Sequence, residues 1–377
     1  MKRIIFAILL LLLVLLHLIA NAEEGKFKFN CQMRHRFEMD NRDFNGDTAQ
    51  NDFNLLRTRV GLTFTPEDNL EAFVQIQDSR AFGEEANTLT DGSADNLDLH
   101  QAYFKIGNLF DLPIDLKVGR MEAGYGNERL IGAVGWSNIG RSFDGGVLTL
   151  HFEKFSLDFF NLKEQEMSAL GDYGDRNVYG LHADFQVAAA HQTQAFLIWQ
   201  QAKPVEALDR YTLGLYLKGK FGNFRHALEA AYQGGKLGGI DVSAYLLALN
   251  LGYTVAQSNA APDFSVGVDY LSGDDDFADD TYKVFDTLYA TNHKFYGFMD
   301  YFTNLPQHTY GRGLLDLHAR LGLKPAQQWS VQAVLHVFNA NQNFTLGASL
   351  FMPGKIFEET MGKDTSTWFY LMTLVNI

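Results

Sequence analysis

Lys26-Phe27-Lys28-Phe29-Asn30-Cys31-Gln32-Met33-Arg34-His35-Arg36-Phe37-Glu38 decides the fold. One parity of this stretch is Phe27, Phe29, Cys31, Met33, His35 and Phe37. The other is Lys26, Lys28, Asn30, Gln32, Arg34, Arg36 and Glu38. Side chains alternate faces along a strand, so the segment reads as a strand with one apolar and one charged face. Residues 211–221 repeat the pattern: Tyr211, Leu213, Leu215, Leu217 and Phe221 against Thr212, Gly214, Tyr216, Lys218 and Lys220. In 314–323, Asp316, His318 and Arg320 oppose Leu315, Leu317, Ala319, Leu321 and Leu323. Further segments begin near Leu55, Leu70, Asp98, Ile114, Val178, Arg225, Phe264 and Ser330. About 17 such stretches follow one another, separated by turn signals such as Gly222-Asn223 and Gly234-Gly235.

The N-terminus places these strands outside the cytoplasm. Lys2-Arg3 precedes an apolar run over residues 4–16, and Ala20-Asn21-Ala22 supplies small residues at a cleavage site. This is the pattern of a secretory signal peptide over residues 1–22, cut near Ala22, with a single barrel domain over 23–377. Cys31 lies too far downstream to be a lipidated N-terminus, and a lone Cys excludes a disulfide scaffold or a Cys-cluster zinc site.

Alternating strands in an exported protein suit either a soluble sandwich or propeller, or a transmembrane barrel. The strands are about ten residues long, enough for a tilted membrane crossing. Aromatics gather near strand ends, at Phe27, Phe64, Phe104, Phe152, Phe221, Tyr253 and Phe338, as interfacial girdles do. The chain ends in an aromatic and apolar strand over 368–377, where outer-membrane barrels carry their assembly signal, with Ile377 in place of the usual Phe. The expected fold is therefore all-β: a transmembrane antiparallel up-and-down barrel in the outer membrane of a Gram-negative-type bacterium. An even strand number gives 18 strands, or alternatively 16, and leaves a water-filled lumen.

Charge is partitioned within this scheme. Without Lys2 and Arg3, 29 basic residues face 45 acidic ones, a net charge of −16. The polar parity of the clean strands carries twelve cations: Lys26, Lys28, Arg34, Arg36, Arg57, Arg59, Lys105, Lys117, Lys218, Lys220, Arg225 and Arg320. It carries seven anions: Glu38, Glu71, Asp115, Asp184, Glu229, Asp269 and Asp316. The expected lumen is thus basic by five charges, and acid is segregated into loops such as 84–98 and 274–280. A cationic wall lowers the barrier for an anion because low-dielectric surroundings focus the field. The competing reading is that these cations pair with lumen acids and stiffen the barrel.

Enzyme signatures are weak. Asp316/His318 and Asp184/His182 place an acid and a His on one strand face, but no G-x-S-x-G or comparable arrangement accompanies them. No metal spacing connects the eleven His, no Ca²⁺-loop pattern fits 273–280, and no phosphate loop precedes a helix. The acidic balance argues against nucleic-acid binding. The reading is a non-enzymatic channel without cofactor or metal. Its partners are membrane lipid and an anionic saccharide or small anionic solute. The alternatives are a barrel-borne lipid or ester hydrolase using His318 or His182, and a non-conducting binding or adhesion barrel with acidic external loops.

Specific blocks extend this reading. Val118-Gly119-Arg120-Met121-Glu122, Tyr125-Gly126-Asn127-Glu128-Arg129-Leu130-Ile131-Gly132, Trp136-Ser137-Asn138 and Gly140-Arg141-Ser142-Phe143-Asp144-Gly145 resemble the alginate export family of outer-membrane barrels. So do 267–276, 285–300 and Leu315-Asp316-Leu317-His318. The resemblance implies an 18-stranded barrel whose Arg-rich lumen passes an anionic polyuronate, with Arg57, Arg59, Arg80, Arg120, Arg129 and Arg141 as the matching cations. Arg34, Arg36, Arg320 and Lys105 join them from the parity argument as the expected substrate path. Arg80 and Arg120 fall on the apolar parity, so each needs a bulge or a strand end to reach the lumen.

Overall fold

The computed structural model describes residues 26–42, 47–83, 97–166, 175–202, 207–256, 258, 260–326, 329–340, 344–347, 350–351 and 366–376. The expected leader lies outside them. The side chains of 326–330 and of everything beyond residue 340 are also outside this description.

Alternation is realised strand by strand. The staves are β1 (Phe27–Asn41), β2 (Asn51–Glu67), β3 (Leu70–Ala81), β4 (Leu97–Ile106), β5 (Ile114–Met121), β6 (Phe143–His151), β7 (Phe155–Gln165), β8 (Arg176–Ala188) and β9 (His191–Ala202). They continue as β10 (Leu208–Phe221), β11 (Phe224–Leu237), β12 (Ile240–Thr254) and β13 (Asp263–Leu271). The short pair β14 (Thr281–Tyr282) precedes β15 (Leu314–Ala326), β16 (Trp329–Asn339), β17 (Phe344–Gly347), β18 (Leu350–Phe351) and β19 (Ser366–Asn376). All nineteen belong to one sheet. Each stave is antiparallel to its neighbours, and β1 pairs with both β2 and β19, so the sheet closes on itself. β14 is the exception, a parallel bridge onto β12. Removing it leaves, among the described residues, sixteen staves of eight residues or more and the short segments β17 and β18 between β16 and β19.

Two-residue turns fix register at several places. Leu237 pairs with Ile240 across Gly238-Gly239, both at positive φ. A hairpin matched to strand twist needs that conformation at its two central positions, and glycine adopts it without cost.

The two parities separate as expected. On β10, Leu213 and Leu215 are 58% and 48% exposed, while Arg210, Thr212 and Tyr216 are buried. The outer surface also carries Val60, Val74, Ile76, Leu247, Leu249, Leu251, Val266, Leu317 and Leu335, an apolar band suited to lipid. Two aromatic rows border it. Phe27, Phe64, Phe152, Phe155, Phe185, Phe224 and Tyr253 form ring pairs at the end bearing the short turns. Tyr179, Trp199, Tyr211, Tyr232, Tyr245 and Tyr270 do so at the other end. Ten residues separate Tyr211 from Phe221. At about 3.4 Å per residue and a tilt of about 40°, they span roughly 25 Å, the height of an outer-membrane apolar band. Phe338 departs from the girdle expectation. It lies on the inner parity of β16, buried against Phe302 with ring centroids 4.7 Å apart.

Candidate constriction of the lumen

The molecule buries its apolar core inside the barrel, where a plain porin lumen would be polar. Phe160, Leu162, Val178 and Ile198 point inward from β7, β8 and β9 and are buried. They pack in one cluster with Leu130, Ile131, Phe285, Tyr296 and Phe302. The second set comes from two connections, residues 122–142 and 272–313, which fold into the lumen from the end opposite the short turns.

The two loops hold each other. Ile131 and Tyr289 form a parallel bridge. Tyr289 N–H donates to the Leu130 carbonyl (2.8 Å), Gly132 N–H to the Tyr289 carbonyl (2.9 Å) and Thr291 N–H to the Glu128 carbonyl (2.9 Å). Gly132 makes this possible, because a Cβ there would lie 2.3 Å from Thr291 Oγ1. Trp136 stacks on His293, with centroids 4.2 Å apart and planes 5° apart.

The β1–β2 wall holds the first loop through its backbone. Arg34 and Arg57 are cross-strand partners. Arg34 donates to the carbonyls of Gly135 (2.7 Å) and Ser137 (2.9 Å), and Arg57 to the same two at 3.2 and 2.9 Å. Arg36 donates to the Trp136 carbonyl at 2.7 Å and lies over its indole ring. From β3, Gln77 donates to the Ile139 carbonyl (2.8 Å) and Ser79 to that of Asn138 (2.7 Å). Each of the five carbonyls from 135 to 139 thus meets a wall donor, as buried backbone acceptors require.

Charge pairing differs around the ring. Arg36 bonds Glu38 at 2.6 Å, and Arg59 bonds Glu122 at 2.9 Å. Burial opposes ionisation of Glu122, but His100 and Arg59 outweigh it and its pKa is lowered. Arg34 and Arg57 are each 4% exposed, and neither has a carboxylate within 4 Å among the described residues. Opposite them, Arg129 bonds Asp269 (2.7 Å) and Glu229 (2.9 Å) and donates to Tyr296 Oη at 2.9 Å. Burial works against the Arg129 charge, but Asp269, Tyr296 and Glu229 prevail and its pKa is raised. Arg141 donates to the carbonyls of Tyr289 and Ala290, and burial lowers its pKa.

The remaining expected path residues divide. Arg320 lines a cavity of about 890 Å³ that runs from the constriction to the short-turn mouth, and its guanidinium is 3.9 Å from Asp263. Lys105 faces inward and bonds Asp115 at 2.9 Å. Arg80 and Arg120 are a correction: both stand on the outer parity. Arg80 pairs in register with outward Leu56 and bonds Asp78, while Arg120 pairs with Ala102 and lies 3.5 Å from Asp144. A bulge does occur nearby, but on β4, where Gln75 pairs with Gln101 and Ile76 with Leu99. It turns His100 inward, onto Glu122 at 2.8 Å, and leaves β3 and β5 in phase.

Residues missed by sequence reasoning are those of the loop contacts. Tyr289, Thr291 and Trp136 are ordinary loop residues in one dimension. Their signal was the long 285–300 block, dense in Phe, Tyr, Asn and His and therefore poor material for a solvated loop. The acidic run 274–280 is also tied down: Lys283 Nζ bonds Asp275 (2.8 Å) and Asp279 (2.9 Å), and Asp274 is buried. His182 packs on Tyr125, His318 contacts Asn250, and neither meets a Ser hydroxyl at hydrogen-bond distance among the described residues.

Comparison with known proteins agrees with this architecture. The family model described as alginate export matches residues 26–368. No curated protein sequence matches. Among solved structures, OpdO of Pseudomonas aeruginosa is 14% identical with a TM-score of 0.57, covering 93% of this chain and 92% of its own. OccAB4 of Acinetobacter baumannii is 12% identical with a TM-score of 0.54, covering 94% and 99%. An anion-selective porin from Comamonas acidovorans is 11% identical with a TM-score of 0.53, covering 93% and 99%. At these identities the structural likeness shows the porin barrel fold. With the family match across nearly the whole chain, the protein belongs to the alginate export family and is a channel of the Gram-negative outer membrane.

Proposed function

We propose that the channel passes anionic solutes by passive diffusion, anionic saccharides of the alginate type among them. The supporting observation is the Arg34–Arg57 pair: two guanidinium groups in register, buried, without a carboxylate within 4 Å among the described residues. Carbonyl oxygens accept from their terminal N–H groups, while each Nε is buried without a hydrogen-bond partner, so their charge is left uncompensated. Inside low-dielectric walls that charge acts on the permeating ion with little screening.

The same contacts suggest how an anion advances. A carboxylate binds guanidinium through charge-assisted, often bidentate hydrogen bonds, stronger than those from a peptide carbonyl. A uronate carboxylate arriving at Arg34 and Arg57 competes with Gly135 and Ser137 for the same donors. Successful competition loosens the 122–142 loop where it narrows the lumen. Several weak sites of this kind let the solute leave as well as enter. Arg225 and Arg320, lining the wide cavity, extend the cationic surface toward the short-turn mouth.

The test is single-channel recording with oligouronates and neutral oligosaccharides of equal length. Charged oligomers should produce longer and more frequent current blocks from either side. Equal blocking by both, or a cation-selective pore, contradicts the proposal.

A further inference from the structure

We propose that Asp316, His318 and His336 form a binding site for a borderline divalent metal ion, with Zn²⁺ as the type case, on the inner wall of the channel. β15 alternates, so Asp316 and His318 both point inward, and register sets His336 directly opposite His318 on β16. One donor atom from each side chain lies within 4.8 Å of the other two. Asp316 Oδ2 is 2.9 Å from His336 Nδ1 and 3.4 Å from His318 Nδ1. Zinc bonds of about 2.0–2.2 Å in a tetrahedral site place donor atoms roughly 3.3–3.5 Å apart. Side-chain rotation therefore closes the set without moving either strand.

Two observations point to a cation rather than to strand pairing alone. The first is charge. Asp316 is fully buried, at 0% exposure, and sits in register with Asp269 on β13. Asp269 already shares Arg129 with Glu229. Three buried carboxylates thus face one guanidinium, and the ion partners of Asp316 among the described residues are the two histidines. A buried carboxylate is costly unless paired or bound to metal. The second is His318 Nδ1, which is buried without a hydrogen-bond partner: its approach to Asp316 is too oblique to make one. Its other ring nitrogen is 3.3 Å from the Asn250 side-chain nitrogen.

The donor set also selects the ion. Two imidazoles and one carboxylate suit zinc, copper or nickel, whereas Ca²⁺ and Mg²⁺ take oxygen ligands. Three protein ligands leave a coordination position open. That position faces the cavity of about 890 Å³, which His318 and His336 help to line. The bound ion would be reachable by solutes in the channel and would join β15 to β16 across the lumen face.

The test uses the full barrel, purified in detergent and stripped with a chelator. Calorimetric titration with Zn²⁺ should give one ion per chain. Co²⁺ should give the intense visible absorption of a tetrahedral site, displaced by Zn²⁺. Both signals should vanish in His318→Gln, His336→Gln and Asp316→Asn, with folding verified by the heat-dependent shift in electrophoretic mobility. They should persist in His226→Gln, a residue on the outer parity of β11. The three independent variants guard against one that fails to fold. No Zn²⁺ binding by the parent protein overturns the proposal, as does undiminished binding in the folded variants.

Discussion

On the β1–β2 side of the lumen, Arg34, Arg36, Arg57 and Arg59 meet two carboxylates, Glu38 and Glu122. On the β11–β13–β15 side, Arg129 meets Glu229 and Asp269, with Asp316 beside them. Around the loop, the first group carries an excess of two positive charges and the second an excess of two negative ones, with Arg225, Arg320 and Asp263 lying nearer the short-turn mouth. The basic wall spends its surplus on loop carbonyls; the acidic wall draws a loop arginine into its carboxylates. Both therefore hold the 122–142 connection, from opposite sides and with opposite sign. The lesson is that a lumen basic by count need not be basic all round. The proposed selectivity would then act through a field running across the channel, drawing an anion to the basic side.

The largest predicted effect separates the walls by stability. Arg129→Ala leaves Glu229 and Asp269 buried without their partner, which typically costs 3–5 kcal/mol. Urea unfolding in detergent should register a loss of that size. Arg34→Gln, whose partners are carbonyls, should cost much less. Equal losses would erase the distinction between the walls.

A lipid-side control comes next. Leu215 stands on the outer parity of β10, between the two aromatic rows. Leu215→Arg should destabilise by about 2–4 kcal/mol near the midplane. Replacing Leu215 by Arg without loss would place that face away from lipid.

Acid should loosen the basic wall. The Glu122 pKa is lowered in the folded protein from an ordinary value of 4.5. Its contribution to holding Arg59 is therefore complete above about pH 4.5 and disappears as pH falls through the lower folded value. Conductance noise from loop motion should rise only in that acid range, and Glu122→Gln should show the same noise at neutral pH. Absence of any difference between Glu122→Gln and the parent would mean the pair does not restrain the loop.

The barrel was legible because lipid and water impose period two on every clean stave, as on 26–38 and 211–221. The inward placement of Arg34, Arg36, Arg57 and Arg59 followed from the same parity. The constriction was not legible. Phe160, Leu162, Val178 and Ile198 break the polar-inside rule only because a loop covers them, and parity cannot announce a loop. The bridge between Ile131 and Tyr289 joins residues far apart in sequence. Arg80 and Arg120, drawn inward by resemblance, keep the outward parity their strands dictate and pair locally with acids. Asp316 and His318 were visible as a same-face pair, but His336 joins them through strand register, which the one-dimensional pattern does not contain.

The smallest shift is also the most direct. Zero-current potential should be measured across a KCl gradient in a planar bilayer, for the parent protein and for Arg34→Gln/Arg57→Gln. Both residues are held in place by neutral carbonyls, so their removal subtracts charge without stranding a buried acid. The parent should show the sign of an anion-preferring pore, and the double variant should move toward zero while staying folded. A parent potential of cation-selective sign, or no movement in the double variant, would contradict the assignment of selectivity to the basic wall.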